Sequence, residues 1–293
     1  MKAVSYGEIL FDIIHGKEYL GGAPLNFAVH LANLGAESYI VTRVGQDERG
    51  RRAIKELKEK GVCPDFIQTD EYHPTGTAAV TLDDKGVASY VFPDGDAYEF
   101  IEADKHLVHK LQEKQIDTIC FGTLSQKKEK SRSSLYYLLD ECKFHNIYYD
   151  VNIRFDFHPD DIIKKSLFYT NILKVNEDEI SILSRQLFGK QMEEVEFAAK
   201  IAKEYQIDIV LLTLGPKGGG VYDKGRYTKI PAIDVPVVST VGAGDSFGAA
   251  FLAAFAKCGD AVKSARFGFE AASFVITRPG ATPEIPKCLR LPE

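Results

Sequence analysis

A run of small residues directly in front of an apolar, alanine-rich segment constrains this chain more than any other feature. Gly242, Ala243 and Gly244 precede a run from 247 to 255 that has the character of a helix. A backbone turn rich in N–H groups therefore opens onto a helix N-terminus, and this geometry favours an anion. A helix that is simply capped after a glycine turn is an equally good interpretation of these residues alone.

Asp245 follows the turn at once and falls in the first turn of the predicted helix. A carboxylate there suits the helix dipole. It also lies beside the predicted anion site, where a general base for a hydroxyl attacking a phosphorus atom has to sit. Asp245 is therefore the candidate base, with Gly242, Ala243 and Gly244 as the candidate phosphate cradle.

The composition limits the kind of partner that such a site serves. With 293 residues and 45% hydrophobic content, the chain is long enough to bury the core of one large α/β domain. Acidic and basic residues are interspersed, and the formal net charge is -6. This pattern gives no electrostatic footprint for nucleic acid or an anionic membrane, so we expect a small-molecule partner.

Compartment and metal signals are sparse. The chain enters a strand-like run at residue 3 without a signal-peptide pattern, and no apolar stretch approaches the length of a membrane span. We therefore expect a soluble cytoplasmic protein. The five cysteines are widely spaced and form no CxxC pair, which indicates neither a disulfide framework nor a zinc site.

Strand-like and helix-like segments alternate from residue 116 onward. The predicted order is strand 116–121, helix 131–143, strands 147–151 and 171–175, helix 193–205 and strand 209–214. Such alternation predicts a layered α/β domain around a mostly parallel sheet. Without repeats or convincing linkers, the whole chain, 1–293, is expected to form one domain.

Two β-rich runs, 77–82 and 87–92, interrupt the alternation. They flank the sequence Asp-Asp-Lys-Gly at 83–86, which is a good hairpin signal. A hairpin of this kind commonly forms a lid or an edge. Tyr90 and Phe92 share one face at period two, where they could cover a substrate or pack between subunits.

Further candidate binding groups lie in the N-terminal part of the chain. Asp12 is expected just beyond the strand that begins at residue 3, at the edge where open α/β sheets collect ligands. Gly21 and Gly22 let backbone approach a ligand closely, and Asn26 adds an amide that can bond to hydroxyls. A surface turn at 12 and a purely structural turn at 21–22 are the competing interpretations.

Three later strand ends carry polar groups. Arg154, in the segment 150–154, offers a guanidinium for sugar or phosphate oxygens. The acidic run 176–179, beside Lys174, is suited to holding Mg²⁺ through water, but it also fits an acidic helix N-terminus. The glycine-rich loop 215–220 is flexible enough to pass over a nucleotide, and it equally fits a hairpin turn.

Taken together, these motifs resemble the PfkB (ribokinase-like) family of carbohydrate kinases over essentially the whole chain, whereas the P-loop pattern GxxxxGK[ST] is absent. The segments 21–26 and 240–245 are similar to the family's two signatures. The segment 45–50 resembles its GxDxxG motif, and 176–179 its NxxE motif. The branch that the chain resembles most is the bacterial fructokinases.

The resemblance implies a ribokinase-like α/β/α domain with a small β lid built from roughly 10–20 and 75–100. It also implies transfer of phosphoryl from ATP to D-fructose, with Asp245 as base and the N–H groups of 242–244 as anion hole. The implied sugar ligands are Asp12, Gly22, Asn26 and Arg154, with Tyr90 and Phe92 on the lid. The implied nucleotide ligands are Lys174, Asn176, Thr213, Gly215 and Gly218, and Glu179 is the implied Mg²⁺ residue, through water.

Other outcomes stay open within the same resemblance. The acceptor could be 2-keto-3-deoxygluconate, ribose or a nucleoside, and a non-catalytic relative that binds nucleotide or sugar is the alternative of a different class. Ser239 stands where the family often has an Asp that helps to hold K⁺, which weakens the expectation of K⁺ activation. The lid also implies a homodimer.

Overall fold

A nine-stranded sheet forms the middle layer of the protein. The computed structural model describes residues 1–14, 16–82, 88–154 and 157–286, with 289 and 291; for 80–82 and 88–90 it describes the backbone alone. In spatial order the strands are β13 (Arg226–Ile230), β12 (Gly219–Asp223), β11 (Ile209–Thr213), β10 (Ile172–Asn176), β9 (Asn146–Asp150), β8 (Thr118–Phe121), β1 (Lys2–Tyr6), β4 (Glu37–Gly45) and β5 (Ile67–Asp70). All neighbours are parallel except at β12, which confirms the predicted class.

Helices cover both faces of this sheet. They are α1 (Ala23–Asn33), α2 (Glu48–Glu59), α3 (Lys105–Glu113), α4 (Glu129–Glu141), α5 (Asp160–Tyr169), α6 (Glu177–Phe188), α7 (Glu194–Tyr205), α8 (Ala243–Cys258) and α9 (Ala261–Ile276). Val4 and Tyr6 of β1 belong to the core cluster that includes α3 to α7. Ala3, whose side chain is on the opposite face of the strand, belongs to the cluster with α1 and α8. The period-two alternation of each strand therefore fills two cores at once.

The elements predicted between 116 and 214 are all present, with ends that differ by no more than two residues. The predicted order left out α5 and α6, which provide the crossovers between the parallel strands β9, β10 and β11. Among the described helices, none combines the length and apolar character that crossing a bilayer requires.

A second, four-stranded sheet lies beside the first. Its order is β3 (Lys17–Gly21), β2 (Leu10–Ile14), β6 (Gly76–Leu82) and β7 (Ala88–Val91). β6 and β7 are antiparallel, as the hairpin signal predicts, and the turn 83–86 lies outside the described residues. The chain crosses from β1 into this sheet at Gly7, whose φ of +143 is open only to glycine.

Asp12 is the one N-terminal position that the strand-end argument placed wrongly. It lies in the middle of β2, paired with Tyr19 and Ala78, and not just beyond the end of β1. The reason is that the chain starts a new strand at Leu10, so the apolar run from 9 to 11 belongs to a second sheet.

Asp47 joins the two sheets. Its Oδ1 accepts hydrogen bonds from the Gly50 N–H and from the Thr75 hydroxyl, each at 2.7 Å, and its Oδ2 accepts the Thr75 N–H at 2.8 Å. These bonds from Thr75 and Gly50 outweigh burial and hold the pKa of Asp47 below its usual value. The GxDxxG-like segment therefore caps α2 and fixes the start of β6.

We predict that Asp47→Ala lowers the free energy of unfolding by about 2–3 kcal/mol, because it removes a helix cap and leaves the buried Thr75 polar groups unpaired. Urea denaturation measures the loss. Asp260→Ala is the matched control. The Asp260 carboxylate caps α9 by accepting the Lys263 N–H at 3.0 Å, and within the described residues it does not link the helix to a strand as Asp47 does. Its loss should be about 1 kcal/mol, and equal losses for the two variants would contradict the linking role.

Candidate active site

The carboxyl edge of the large sheet gathers the candidate residues from distant parts of the chain. Glu8 follows β1, Gly122 follows β8, and Asp150 ends β9. Asn176 ends β10 and is the register partner of Thr213, which ends β11. Because parallel strands end at the same edge, these groups form one line across the sheet, as ligand sites of open α/β sheets do.

The glycine turn at the start of α8 has the geometry that an anion site needs. Gly242 is the N-cap residue with φ +79, and a Cβ there would lie 2.3 Å from the Ala281 carbonyl oxygen, so only glycine fits. Within the described residues, the N–H groups of Gly242 and Gly244 donate to no acceptor. The Ala243 N–H makes a long bond, 3.3 Å, to the Thr240 carbonyl.

Asp245 lies in the first turn of α8, half-buried, and is held by a residue of another helix. The Asn26 amide Nδ2 donates to its Oδ2 at 2.8 Å. Burial raises the pKa of Asp245 to about 6, and the Asn26 hydrogen bond opposes this rise. The carboxylate is therefore mostly ionised at neutral pH and close enough to its titration range to accept a proton.

The sequence context of Asn26 did not indicate its contact with Asp245. Asn26 was predicted as a sugar ligand, and the structure shows its amide bonded to the candidate base. Its Oδ1 is buried and has no partner among the described residues. That oxygen is free to accept a bond from a ligand hydroxyl while Nδ2 holds Asp245.

Lys174 lies beneath the turn and not on its open side. It is 5% exposed, and its Nζ is 2.9 Å from the Asp150 carboxylate. A Cβ on Gly244 would come within 3.1 Å of the same nitrogen. Burial disfavours the charge, but the carboxylates of Asp150 and Glu179 together raise the pKa of Lys174 above its usual value.

Glu179 and Asn176 form a capping box at the start of α6, so the helix N-terminus interpretation of this motif is confirmed. The Asn176 side chain accepts the Glu179 N–H, and Glu179 Oε2 accepts the Asn176 N–H at 2.8 Å. Glu179 Oε1 accepts the Ile153 N–H at 3.0 Å. Both carboxylate oxygens are therefore engaged with backbone, which leaves contact with Mg²⁺ through water as the mode that stays predicted.

The predicted sugar side is strongly acidic. Gly22 is the N-cap of α1 with φ +112, and a Cβ there would lie 2.5 Å from the Glu8 carbonyl oxygen. Burial raises the pKa of Glu8 to about 7, against the opposing effects of backbone hydrogen bonds and Arg154. Burial likewise raises the pKa of Asp12 to about 6, against the opposing charge of Arg154.

Glu8 is the acidic residue that the sequence interpretation passed over. It is 4% exposed and lines a narrow cavity with Asp150, Asn152 and Asp245. The strand-end argument applied to β1 would have found it, because Glu8 is the first carboxylate after that strand. A larger cavity of about 650 Å³ lies at the opposite edge, around the amino ends of β9 to β11, and none of the predicted site residues lines it.

The predicted nucleotide side is a hairpin. β11 and β12 are antiparallel, so the loop from 214 to 218 is a hairpin turn, and Gly215 and Gly218 have φ of +54 and +86. A Cβ on Gly218 would lie 2.3 Å from the Ile230 carbonyl oxygen. The loop therefore packs closely against the segment that leads from β13 towards the glycine turn.

Residues 231–238 of that segment, 231–241, were not predicted as part of the site, and the segment exposes apolar surface. Ile233, Val237, Val238 and Val241 are each more than 40% exposed. Phe92 is partly buried just after β7, and the side chain of Tyr90 lies outside the described residues.

An ionisable carboxylate and free backbone N–H groups share one helix N-terminus at the ligand edge of a layered α/β fold, and this combination suits phosphoryl transfer to a hydroxyl. The comparisons agree, and the class is that of the ribokinase-like sugar kinases. The model of the pfkB family of carbohydrate kinases matches residues 2–288, and the chain belongs to this family.

Individual relatives are similar over most of their length. The chain is 30% identical over 249 residues to a fructokinase of Escherichia coli, covering 82% of this chain and 78% of the relative. It is 28% identical over 306 residues to an ATP-dependent 6-phosphofructokinase of Thermoanaerobacterium thermosaccharolyticum, covering 97% and 90%. A sugar kinase of Pyrococcus horikoshii, solved in complex with ATP, superimposes with a TM-score of 0.82 at 26% identity, covering 95% of this chain and 93% of that chain.

We predict that Asn26→Leu raises the pKa of Asp245 above about 6, because it removes the hydrogen bond that favours the charged form. The titration of the Asp245 carboxyl carbon, followed by ¹³C NMR in aspartate-labelled protein, measures this. Asp245→Asn assigns the resonance. A midpoint that stays at the wild-type pH would show that the contact between Asn26 and Asp245 does not form in solution.

Proposed function

We propose that this chain transfers the γ-phosphoryl group of ATP to a primary hydroxyl of a small neutral sugar, in the first place D-fructose, giving fructose 6-phosphate. The observation that carries the proposal is the pairing of Asp245 with the open glycine turn in one helix N-terminus. A protein that only binds nucleotide or sugar has no need of a carboxylate tuned towards proton transfer at this position.

In the proposed reaction, Asp245 takes the proton of the sugar hydroxyl while the oxygen of that hydroxyl bonds to the γ-phosphorus. The bond from that phosphorus to the β–γ bridging oxygen breaks, and ADP leaves with the electron pair. The N–H groups of Gly242 and Gly244, with Ala243, stabilise the charge on the transferred group. A base in this position contributes about 10²–10⁴-fold, and positioning supplies much of the rest.

The proposed nucleotide site is on the side of the turn that β10, β11 and their loops form. Asn176, Thr213, Gly215 and Gly218 line this side, and the exposed apolar segment 231–241 offers a surface for the adenine base. The ATP complex of the Pyrococcus relative supports this choice of nucleotide. Mg²⁺, which neutralises phosphate charge when bound, fits a contact through water at Glu179.

The carboxylates that line the narrow cavity beside Glu8 support a neutral acceptor. Glu8, Asp150 and Asp245 line it, and Asp12 lies nearby on β2. Lys174 is already paired with Asp150. A sugar phosphate or a sugar acid would place its own negative charge among these carboxylates, which is unfavourable in a partly buried site. Sugar hydroxyls can instead donate to them.

One observation favours a second acceptor, the sugar acid 2-keto-3-deoxygluconate. Arg154 is exposed, and within the described residues its guanidinium makes no ion pair. It interacts electrostatically with Glu8, Asp12 and Asp245, so it lies near the acceptor side. A guanidinium in this position can pair with a ligand carboxylate.

We predict that Asp245→Asn lowers turnover of MgATP with sugar by about 10²–10⁴-fold while nucleotide binding stays near the wild-type level, because the variant keeps the turn and loses the base. Coupled ADP release and calorimetric titration with ATP measure the two quantities. Wild-type turnover in this variant would refute the assignment of the base.

We predict that the wild-type protein turns over D-fructose faster than 2-keto-3-deoxygluconate, ribose, tagatose or adenosine in the same assay. Its activity should fall as the pH drops through about 6, since only ionised Asp245 accepts the proton. Arg154→Gln separates the two acceptors, because a sugar acid held by Arg154 would lose affinity by about tenfold or more. If the wild type prefers the sugar acid and Arg154→Gln removes that preference, the sugar acid and not fructose is the acceptor.

The four-stranded sheet is the proposed dimer contact. Tyr19 and Val91 leave 50% and 61% of their side chains exposed on this sheet. Exposed apolar side chains on a small sheet suit a contact with a second copy of the chain. A cytoplasmic location, where ATP and free sugars are available, completes the proposal.

A further inference from the structure

One face of α1 makes two hydrogen bonds, one to Asp245 and one to a residue that packs against the glycine turn. Asn26 and His30 are four residues apart and therefore lie on the same side of the helix. Asn26 donates to Asp245 at 2.8 Å, and His30 Nε2 lies 2.9 Å from the carbonyl oxygen of Ala281. Ala281 in turn lies against Gly242. One helix thus contacts the base directly and the anion turn through one intermediate residue.

The state of His30 follows from its surroundings. Its side chain is fully buried, and burial lowers the pKa of His30 to about 4, so the ring is neutral at pH 7. A carbonyl oxygen only accepts hydrogen bonds, so the proton must be on Nε2, which donates to Ala281. Nδ1 is buried without a partner among the described residues. The bond to Ala281 is therefore the polar contact that orients this ring.

The Ala281 carbonyl oxygen accepts the hydrogen bond from His30 and also packs against Gly242. A Cβ on Gly242 would lie 2.3 Å from that oxygen and 2.8 Å from the Ala281 Cα, so the turn and the segment at 281 are in close backbone contact. Any movement of Ala281 towards or away from α8 therefore changes the space available to Gly242. His30 bonds to the same carbonyl oxygen that faces Gly242 and so holds Ala281 in this position.

We propose that His30 is a positioning residue for phosphoryl transfer: by holding Ala281 against Gly242 it fixes the anion turn, while Asn26, one helical turn earlier, fixes the base. α1 then acts as a template that sets the distance between the two groups that must act on the same phosphoryl transfer. This inference rests on the function proposed above for the same site.

A purely structural role for His30 makes a different prediction. If the bond to Ala281 only anchors the segment after α9, its loss lowers stability and leaves the rate per folded molecule unchanged. Ser38 provides the matched control, because its hydroxyl donates to the Ala28 carbonyl of α1 at 2.8 Å, is also buried, and does not touch Ala281.

The experiment compares His30→Phe, His30→Gln and Ser38→Ala with the wild-type protein. Phe keeps a ring without a donor, whereas Gln can place its amide N–H close to the position of Nε2. We expect His30→Phe to lower kcat by about tenfold with sugar and ATP KM values within about twofold, because one buried hydrogen bond that supports the anion turn is lost. His30→Gln should recover to within about threefold of wild type, and Ser38→Ala should keep the wild-type kcat.

Hydrogen exchange separates this inference from the proposed function. We expect the amides of 240–247 to exchange about tenfold faster in His30→Phe than in the wild type, His30→Gln or Ser38→Ala, because the turn loses its support. If His30→Phe does not fold, His30→Leu, which has a shorter and more flexible side chain than Phe and also lacks a donor, takes its place. Absence of sugar-dependent turnover in the wild type would refute the proposed function, and the exchange data would still decide whether His30 supports the turn.

Two results would overturn the inference. One is an unchanged exchange rate for 240–247 in the variant that lacks the donor. The other is a kcat per folded molecule that is equal in His30→Phe and the wild type, since a positioning residue must affect the catalytic step.

Discussion

The hydrogen bond from Asn26 to Asp245 is the interaction on which the site depends. It joins the N-termini of α1 and α8, two helices whose entries are both made by glycines with positive φ. Gly22 and Gly242 let the backbone turn sharply into each helix, and so both helices direct their N-termini and first-turn side chains at the same edge of the sheet. Asp245, the proposed base, is therefore held where the two helix entries meet.

Charge balance is the second constraint on this edge. Glu8, Asp150, Glu179 and Asp245 bring four carboxylates together, Lys174 lies buried among them, and Arg154 acts on Glu8 and Asp245 from an exposed position. Lys174 is buried and paired with Asp150, so removing it would leave the buried Asp150 carboxylate without its counter-charge. Burial instead raises the pKa of Glu8 to about 7 and that of Asp245 to about 6. The same burial that makes these carboxylates unfavourable for folding thus gives Asp245 a pKa suited to proton transfer.

Local sequence patterns predicted those elements of secondary structure that depend on interactions between neighbouring residues. The start of α8, the hairpin of β6 and β7 and the parallel strands could be predicted, because turn chemistry and side-chain periodicity act over a few residues. Asp12 was misplaced because one apolar run spans two different sheets. The buried positions of Glu8 and His30 beside the candidate site were missed because each is a single polar residue in an apolar segment, and such a residue has no pattern of its own.

The sequence by itself determined the layered α/β class, the glycine turn with its first-turn carboxylate, and the family's motifs in their order along the chain. Only the tertiary structure decided which groups meet. Asn26 reaches Asp245 across 219 positions of the chain and His30 reaches Ala281 across 251, while Lys174 is placed beneath the turn and not on its open side. These contacts depend on how α1, β10 and α8 pack on the sheet. Packing of that kind is set by the whole core, so no local pattern of residues encodes it.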